Sequence, residues 1–269
     1  LATEPHYTDQ GQGAPVLLLH GLMASNRVFD DVIEQGRKEF RFLSVDLPHS
    51  GQSRAWASMR PHDIAQKLKP WLEARGVRKA TIFGHSFGGL VAIELASQFP
   101  GLVDRLVIAS APAVGLKPEA KKLLSWPGTD DGASLIGRLP VWRPVVRSYL
   151  GWLFGDPKLL TDRHVEGYFQ SLQNPGAWPG MLEASRAVGE YRLQPEPLLG
   201  SKLPIEVIWG EKDRLVPLID GERLATALDA GFTVLPKIGH CVPEEHPDSV
   251  LSAIRGTSKA RKTKDRGRG

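Results

Sequence analysis

Cysteine is nearly absent from this chain: Cys241 is the single thiol in 269 residues. That excludes an internal disulfide and any metal site built from several thiolates, and it fits a reducing compartment. Apolar runs are short as well. None approaches the ~20 residues that a membrane-spanning helix needs, so a soluble protein is expected. Cytoplasm is the expected location, with a processed secreted form kept open because the first residue is Leu1 rather than Met. Internal repeats are missing. Net charge is also scarce once its position is considered. The total is +4, but the last fourteen residues, GTSKARKTKDRGRG, hold six Lys/Arg and one Asp, a net of +5, leaving about −1 for residues 1–255. The basic end is expected to be a solvated, disordered tail over 256–269. Its only expected nucleic-acid contacts are weak, salt-sensitive and non-specific.

What the chain does have is 41% hydrophobic residues arranged in two alternating rhythms. Short β-branched runs (VLLLH from Val16, RFLSVD from Arg41, KATIFG from Lys79, VDRLVIAS from Val103, PIEVIWG from Pro204, FTVLP from Phe232) read as strands. Longer amphipathic stretches near 28–35, 60–75, 87–98, 219–228 and 247–254 read as helices. Such alternation predicts an α/β fold with a mostly parallel sheet, and near-continuous apolarity in the strands implies burial on both faces. PHYTD near the start is expected to be an antiparallel edge strand. Between Ala111 and Leu203 the rhythm stops and only helix-like pieces remain. The expected organisation is a core of residues 1–111 and 204–255, with a helical insertion at 112–203.

At Ala80–Ala96 the sequence ATIFGHSFGGLVAIELA places Gly84-His85-Ser86-Phe87-Gly88 between a strand and a helix. This is G-x-S-x-G in the context that makes it informative. A serine at such an elbow sits on strained backbone, and Gly84 and Gly88 leave it room. The hydroxyl is then lifted clear of the sheet at a helix start that favours negative charge.

A serine hydroxyl attacks well only when a base takes its proton and a third group orients that base. His240, in LPKIGHCVPEEHP after the last strand, is the expected base. His20 ends the first core strand and is expected to brace the next loop. His6, His62, His164 and His246 read as surface or packing residues, and His49 is left open. The orienting carboxylate is expected to be Asp213 in VIWGEKDRLVP; Glu211 leaves the strand too early. The oxyanion hole is expected from the N–H groups of Phe87 and of Leu22, the latter after the tight turn His20-Gly21.

Together LLLHGLMAS, VDLPHSGQS, GHSFGGLVA, WGEKDRLVP and GHCVPEEHP resemble the α/β-hydrolase superfamily, in its capped branch of esterases and related hydrolases. The resemblance covers about two thirds of the chain, all but the insertion and the tail. It implies an α/β-hydrolase fold with a helical cap, a Ser86–His240–Asp213 triad in the expected chain order, and no cofactor or metal. One block departs from the pattern: where relatives often read Asp-x-Pro-Gly-His-Gly-x-Ser, DLPHSGQS moves the histidine back to His49, in the place of a glycine, and puts Ser50 where the histidine would stand. The reaction implied is hydrolysis of a small or medium apolar carboxylic ester through an acyl-enzyme. The alternative is carbon–carbon cleavage of a ring-fission diketone acid, which would require a cap arginine facing the serine. A non-enzymatic binding module is the third reading, and the intact triad order argues against it. Met23, His85, Trp126, Trp142, Tyr149 and Trp152 are the expected pocket residues. Arg138, Arg143 and Arg147 are candidates for a substrate carboxylate. The expected partner is the small-molecule ester; the sequence carries no sign of oligomeric state.

Overall fold

The β-branched and leucine-rich runs pair into one sheet because each is apolar on both faces and short enough for helices to cover. In the computed structural model, residues 4–114, 142–258 and 261–262 are described. The strands are β1 (Tyr7–Gly11), β2 (Ala14–Leu19), β3 (Phe40–Val45), β4 (Ala80–His85), β5 (Val103–Ala109), β6 (Ile205–Gly210), β7 (Gly231–Leu235) and β8 (Arg261–Lys262). Their order is β1-β3-β2-β4-β5-β6-β7-β8. The six from β3 to β7 run parallel, while β1 pairs antiparallel with β3 and β8 antiparallel with β7.

Alternation along the strands divides the core. Leu17, Leu19, Leu43, Val45 and Ile82 face one helical layer; Val16, Leu18, Phe42 and Phe83 face the other. The first layer contains α2 (Pro61–Glu73), α3 (Phe87–Gln98) and α7 (Leu218–Ala227). The second contains α1 (Asp30–Gly36), α8 (Val242–Glu245) and α9 (Pro247–Arg255). The helix expected at 28–35 begins instead as a 3-10 turn over Asn26–Phe29 and becomes α-helical at Asp30. Pro61 sits at the first turn of α2, where its missing N–H costs nothing.

Between β5 and β6 the described helices are α4 (Arg143–Leu153), α5 (Asp162–Leu172) and α6 (Ala177–Glu190). Val146, Leu150 and Leu153 of α4 pack into the second core layer, and Ala184 and Val188 of α6 into the first. The insertion thus bridges both layers at one end of the sheet. At the other end of the chain, Gly256 closes α9 in the left-handed conformation with φ 73°. Arg261–Lys262 then pair with β7, so part of the segment expected to be disordered extends the sheet edge. Backbone pairing of this kind needs no apolar side chain, which is why composition did not predict it. No helix among the described residues is long and apolar enough to cross a membrane.

Candidate active site

The site is built on the turn from β4 to α3. Ser86 has φ 52° and ψ −120°, a conformation that costs a side-chain-bearing residue on the order of 1–3 kcal/mol. Its amide donates to Ala109 O (2.8 Å) and its carbonyl accepts from Gly89 N–H (2.9 Å), fixing the strained turn from both sides. The flanking glycines are required by contact. A Cβ at Gly84 would lie 2.4 Å from Gly88 O, and one at Gly88 2.3 Å from Leu19 O. Only bare backbone allows α3 to approach β2 this closely.

Two loops at the carboxyl ends of β6 and β7 deliver the partners. Ser86 Oγ lies 3.1 Å from His240 Nε2, and His240 Nδ1 lies 2.9 Å from Asp213 Oδ2. The other carboxylate oxygen, Oδ1, accepts from Leu215 N–H and Val216 N–H, each at 2.9 Å. Burial alone would raise Asp213. The His240 imidazole and the Val216 amide outweigh it and hold the carboxyl below its ordinary value. An ionised Asp213 fixes the proton on His240 Nδ1 and leaves Nε2 free to accept from the serine.

Two further histidines brace this arrangement. His85 Nε2–H donates to the carbonyl of His240 (2.7 Å). Burial first, and the neighbouring His240 second, push His85 down to about 3, so it is neutral at any working pH. His20 Nε2 accepts from Leu47 N–H (3.0 Å), so Nδ1 carries the proton and donates to Gly21 O (2.7 Å). That bond grips the turn leading into Leu22 and Met23, and Met23 itself has φ 64°. Asp46 locks the neighbouring loop by accepting from Asn26 N–H (2.7 Å) and Gln52 N–H (2.9 Å) and pairing with His6 (2.7 Å).

The departure in DLPHSGQS has a local cause. His49 takes φ 61° and packs against Gly176 and Gly180, where an added Cβ would meet its ring or its own Cβ at 2.3–2.5 Å. Gly51 (φ 53°) lies against the Asp46 carboxylate, which leaves no space for a side chain. The histidine is accommodated by small residues at the start of α6.

Above Ser86 lies a cavity of about 350 Å³. Its floor is Gly21, Leu22, Met23, His85, Phe87 and His240; its walls come from α4 (Tyr149, Leu153), α5 (Tyr168) and α6 (Met181, Ser185, Val188), with Pro112, Leu215 and Val216 at the sides. Of the expected pocket residues, Met23, His85 and Tyr149 line it. Trp142 and Trp152 do not: they are 63% and 44% exposed, with the Trp152 ring stacked on Tyr149. Trp126 and Arg138 lie outside the described residues. Arg143 forms a two-bond pair with Glu166 (2.7 and 3.1 Å) and covers the Phe169 ring, and Arg147 pairs with Asp162. No arginine or lysine is among the described lining residues. Sequence reasoning missed Leu153, Met181, Ser185 and Val188, whose only signal was helical spacing within the insertion. Burial raises Tyr149 to about 12, so the wall presents neutral phenols. Among the described residues, no group of three His, Cys, Asp or Glu is placed to hold a metal ion.

With this geometry in place, the comparisons with known proteins give the family. The chain belongs to the Alpha/beta hydrolase family, whose model matches residues 16–253. It is 28% identical over 252 residues to the Uncharacterized hydrolase YugF of Bacillus subtilis, covering 93% of this chain and 91% of that protein. It is 26% identical to a 2-hydroxy-6-oxo-6-phenylhexa-2,4-dienoate hydrolase of Burkholderia cepacia, covering 91% and 87%. A thermophilic esterase from Thermogutta terrifontis has the same fold, with a TM-score of 0.76 at 25% identity over 94% of this chain and 92% of that one. The chain is an α/β hydrolase.

Proposed function

We propose that the protein is a serine hydrolase of apolar carboxylic esters. The observation that carries this reading is the Ser86–His240–Asp213 relay opening into a cavity whose described lining has no cation. His240 Nε2 takes the proton from Ser86 Oγ as that oxygen bonds to the ester carbonyl carbon. The charge that develops on the carbonyl oxygen is held by the backbone N–H groups of Leu22 and Phe87. The tetrahedral adduct collapses: the carbon–alkoxide bond breaks, the alcohol leaves with the proton from His240, and the acyl group stays on Ser86. Water then gives a proton to His240 as its oxygen bonds to the acyl carbon; the bond from that carbon to Ser86 Oγ breaks, His240 returns the proton to Oγ, and the acid leaves. Asp213 stays ionised throughout and stabilises the imidazolium formed in each half-reaction.

Carbon–carbon cleavage of a ring-fission acid is the second reading, favoured by the name of the Burkholderia cepacia relative. Against it stands the substrate's carboxylate, which would enter an apolar space without a described counter-charge. Burying an unpaired carboxylate is strongly unfavourable.

The test uses p-nitrophenyl butyrate and a ring-fission diketone acid side by side. We expect a burst of p-nitrophenol followed by steady turnover, abolished by Ser86→Ala, and no loss of the diketone chromophore. Turnover of the acid without the ester overturns the ester assignment. Ester turnover that survives Ser86→Ala overturns the serine mechanism.

A further inference from the structure

Glu245, at the end of α8, is 7% exposed and faces no arginine or lysine among the described contacts; its partners are backbone amides. Oε1 accepts from Gly239 N–H (3.0 Å) and Cys241 N–H (3.2 Å), the residues on either side of His240. Oε2 accepts from Gly155 N–H (2.7 Å), two residues beyond the end of α4, and also from Gly239 N–H (3.1 Å). The same joint is tied a second way. His240 N–H donates to Leu153 O (2.8 Å), and Leu153 is the last residue of α4 and part of the cavity wall. The two backbones approach so closely that a Cβ at Gly239 would lie 2.2 Å from Leu153 O and 2.4 Å from Gly155 N.

We propose that Glu245 is a positioning residue that clamps the His240 loop to the inserted helices, so that the cavity wall and the general base move as one body. The proposal rests on the Ser86–His240–Asp213 reading. The physical argument is one of degrees of freedom. A loop histidine must hold Nε2 within hydrogen-bond reach of Ser86 while Nδ1 stays on Asp213, and displacement by about 1 Å is enough to cost on the order of 100-fold in rate. With its carbonyl held by His85, its amide by Leu153 and both flanking amides by one carboxylate, the His240 backbone has no direction in which to drift. Burial raises the Glu245 carboxyl, and the amides of Gly239, Gly155 and Cys241 oppose that rise by favouring the ionised acceptor.

Glu245→Gln tests this. The amide keeps the shape but replaces one acceptor oxygen with a donor facing backbone N–H groups. We expect kcat for p-nitrophenyl butyrate to fall by about 10- to 100-fold with KM within about twofold. The downfield proton resonance of His240 Nδ1–H should shift or broaden. Ile254→Ala, in the core of α9, serves as the destabilised control: it should lower Tm while leaving kcat and the resonance in place. Should Glu245→Gln not fold, Gly155→Ala carries the same expectation, because its Cβ would press 2.6 Å from Gly239 N. Wild-type kcat in folded Glu245→Gln or Gly155→Ala overturns the proposal, and so does loss of kcat in Ile254→Ala parallel to its loss of stability. If Ser86→Ala abolishes turnover while Glu245→Gln does not reduce it, the clamp alone fails and the relay stands.

Discussion

At the scale of single residues, the site depends on which atom carries each proton. Asp213 spends one oxygen on the Leu215 and Val216 amides and keeps the other for His240. Asp213→Asn can preserve the amide contacts with its carbonyl oxygen, but it then presents an NH2 to the imidazole. His240 must turn its unprotonated nitrogen toward that donor, and Nε2 becomes protonated where it should accept from Ser86. We expect kcat to fall by about 10⁴-fold with the fold intact, measured as initial rates beside a circular dichroism spectrum of the variant. Survival of more than a tenth of the activity would remove Asp213 from the proposed mechanism. His85 illustrates the other side of residue-scale reasoning. Its place in the sequence, next to the serine, gives no hint that its proton goes to the backbone of a residue 155 positions away.

At the scale of elements, the crossing of α3 over β2 is governed by glycine. Gly88→Ala would put a methyl group 2.3 Å from Leu19 O, and backbone on both sides cannot yield cheaply. We expect a loss of about 1–3 kcal/mol, read as a lower urea midpoint with an unchanged slope. An unchanged midpoint would mean that the helix has freedom to move away. This contact was legible beforehand, because G-x-S-x-G between a strand and a helix has one steric meaning. The parallel strands were legible for a related reason: a sheet covered on both faces leaves apolar runs that no surface strand shows. Helix α4 was not. Val146, Leu150 and Leu153 form one apolar stripe, while Trp142, Val145 and Trp152 form another. Spacing cannot say which of two such stripes turns inward. The pocket expectation named Trp142 and Trp152 beside Tyr149, and the structure gives the cavity to Tyr149 and to Leu153 but to neither tryptophan. The clamp at Glu245 was equally silent, since a carboxylate that binds only backbone amides needs no partner residue type.

At the scale of the whole molecule, buried acids make stability depend on pH. Burial raises Glu244 to about 8, the nearby Glu245 and Asp31 add to the rise, and the Tyr168 hydroxyl opposes it by donating to Oε2 at 3.1 Å. With the folded value above the ordinary 4.5, the folded state holds the proton more tightly than the unfolded chain between those values. The resulting stabilisation is complete below about 4.5 and is lost as pH rises through about 8. It amounts to a few kcal/mol at order of magnitude. Glu244→Gln should therefore flatten the decline of Tm between pH 5 and 9, as followed by calorimetry; parallel curves for the two proteins would rule the assignment out. The lone thiol has a practical corollary. Cys241 is fully buried and burial drives its thiol well above the ordinary range, so alkylating reagents should leave the native chain untouched. A cysteine installed at exposed Trp142 would then be the sole reactive handle, and a maleimide dye attached there would report movements of the inserted helices without background labelling.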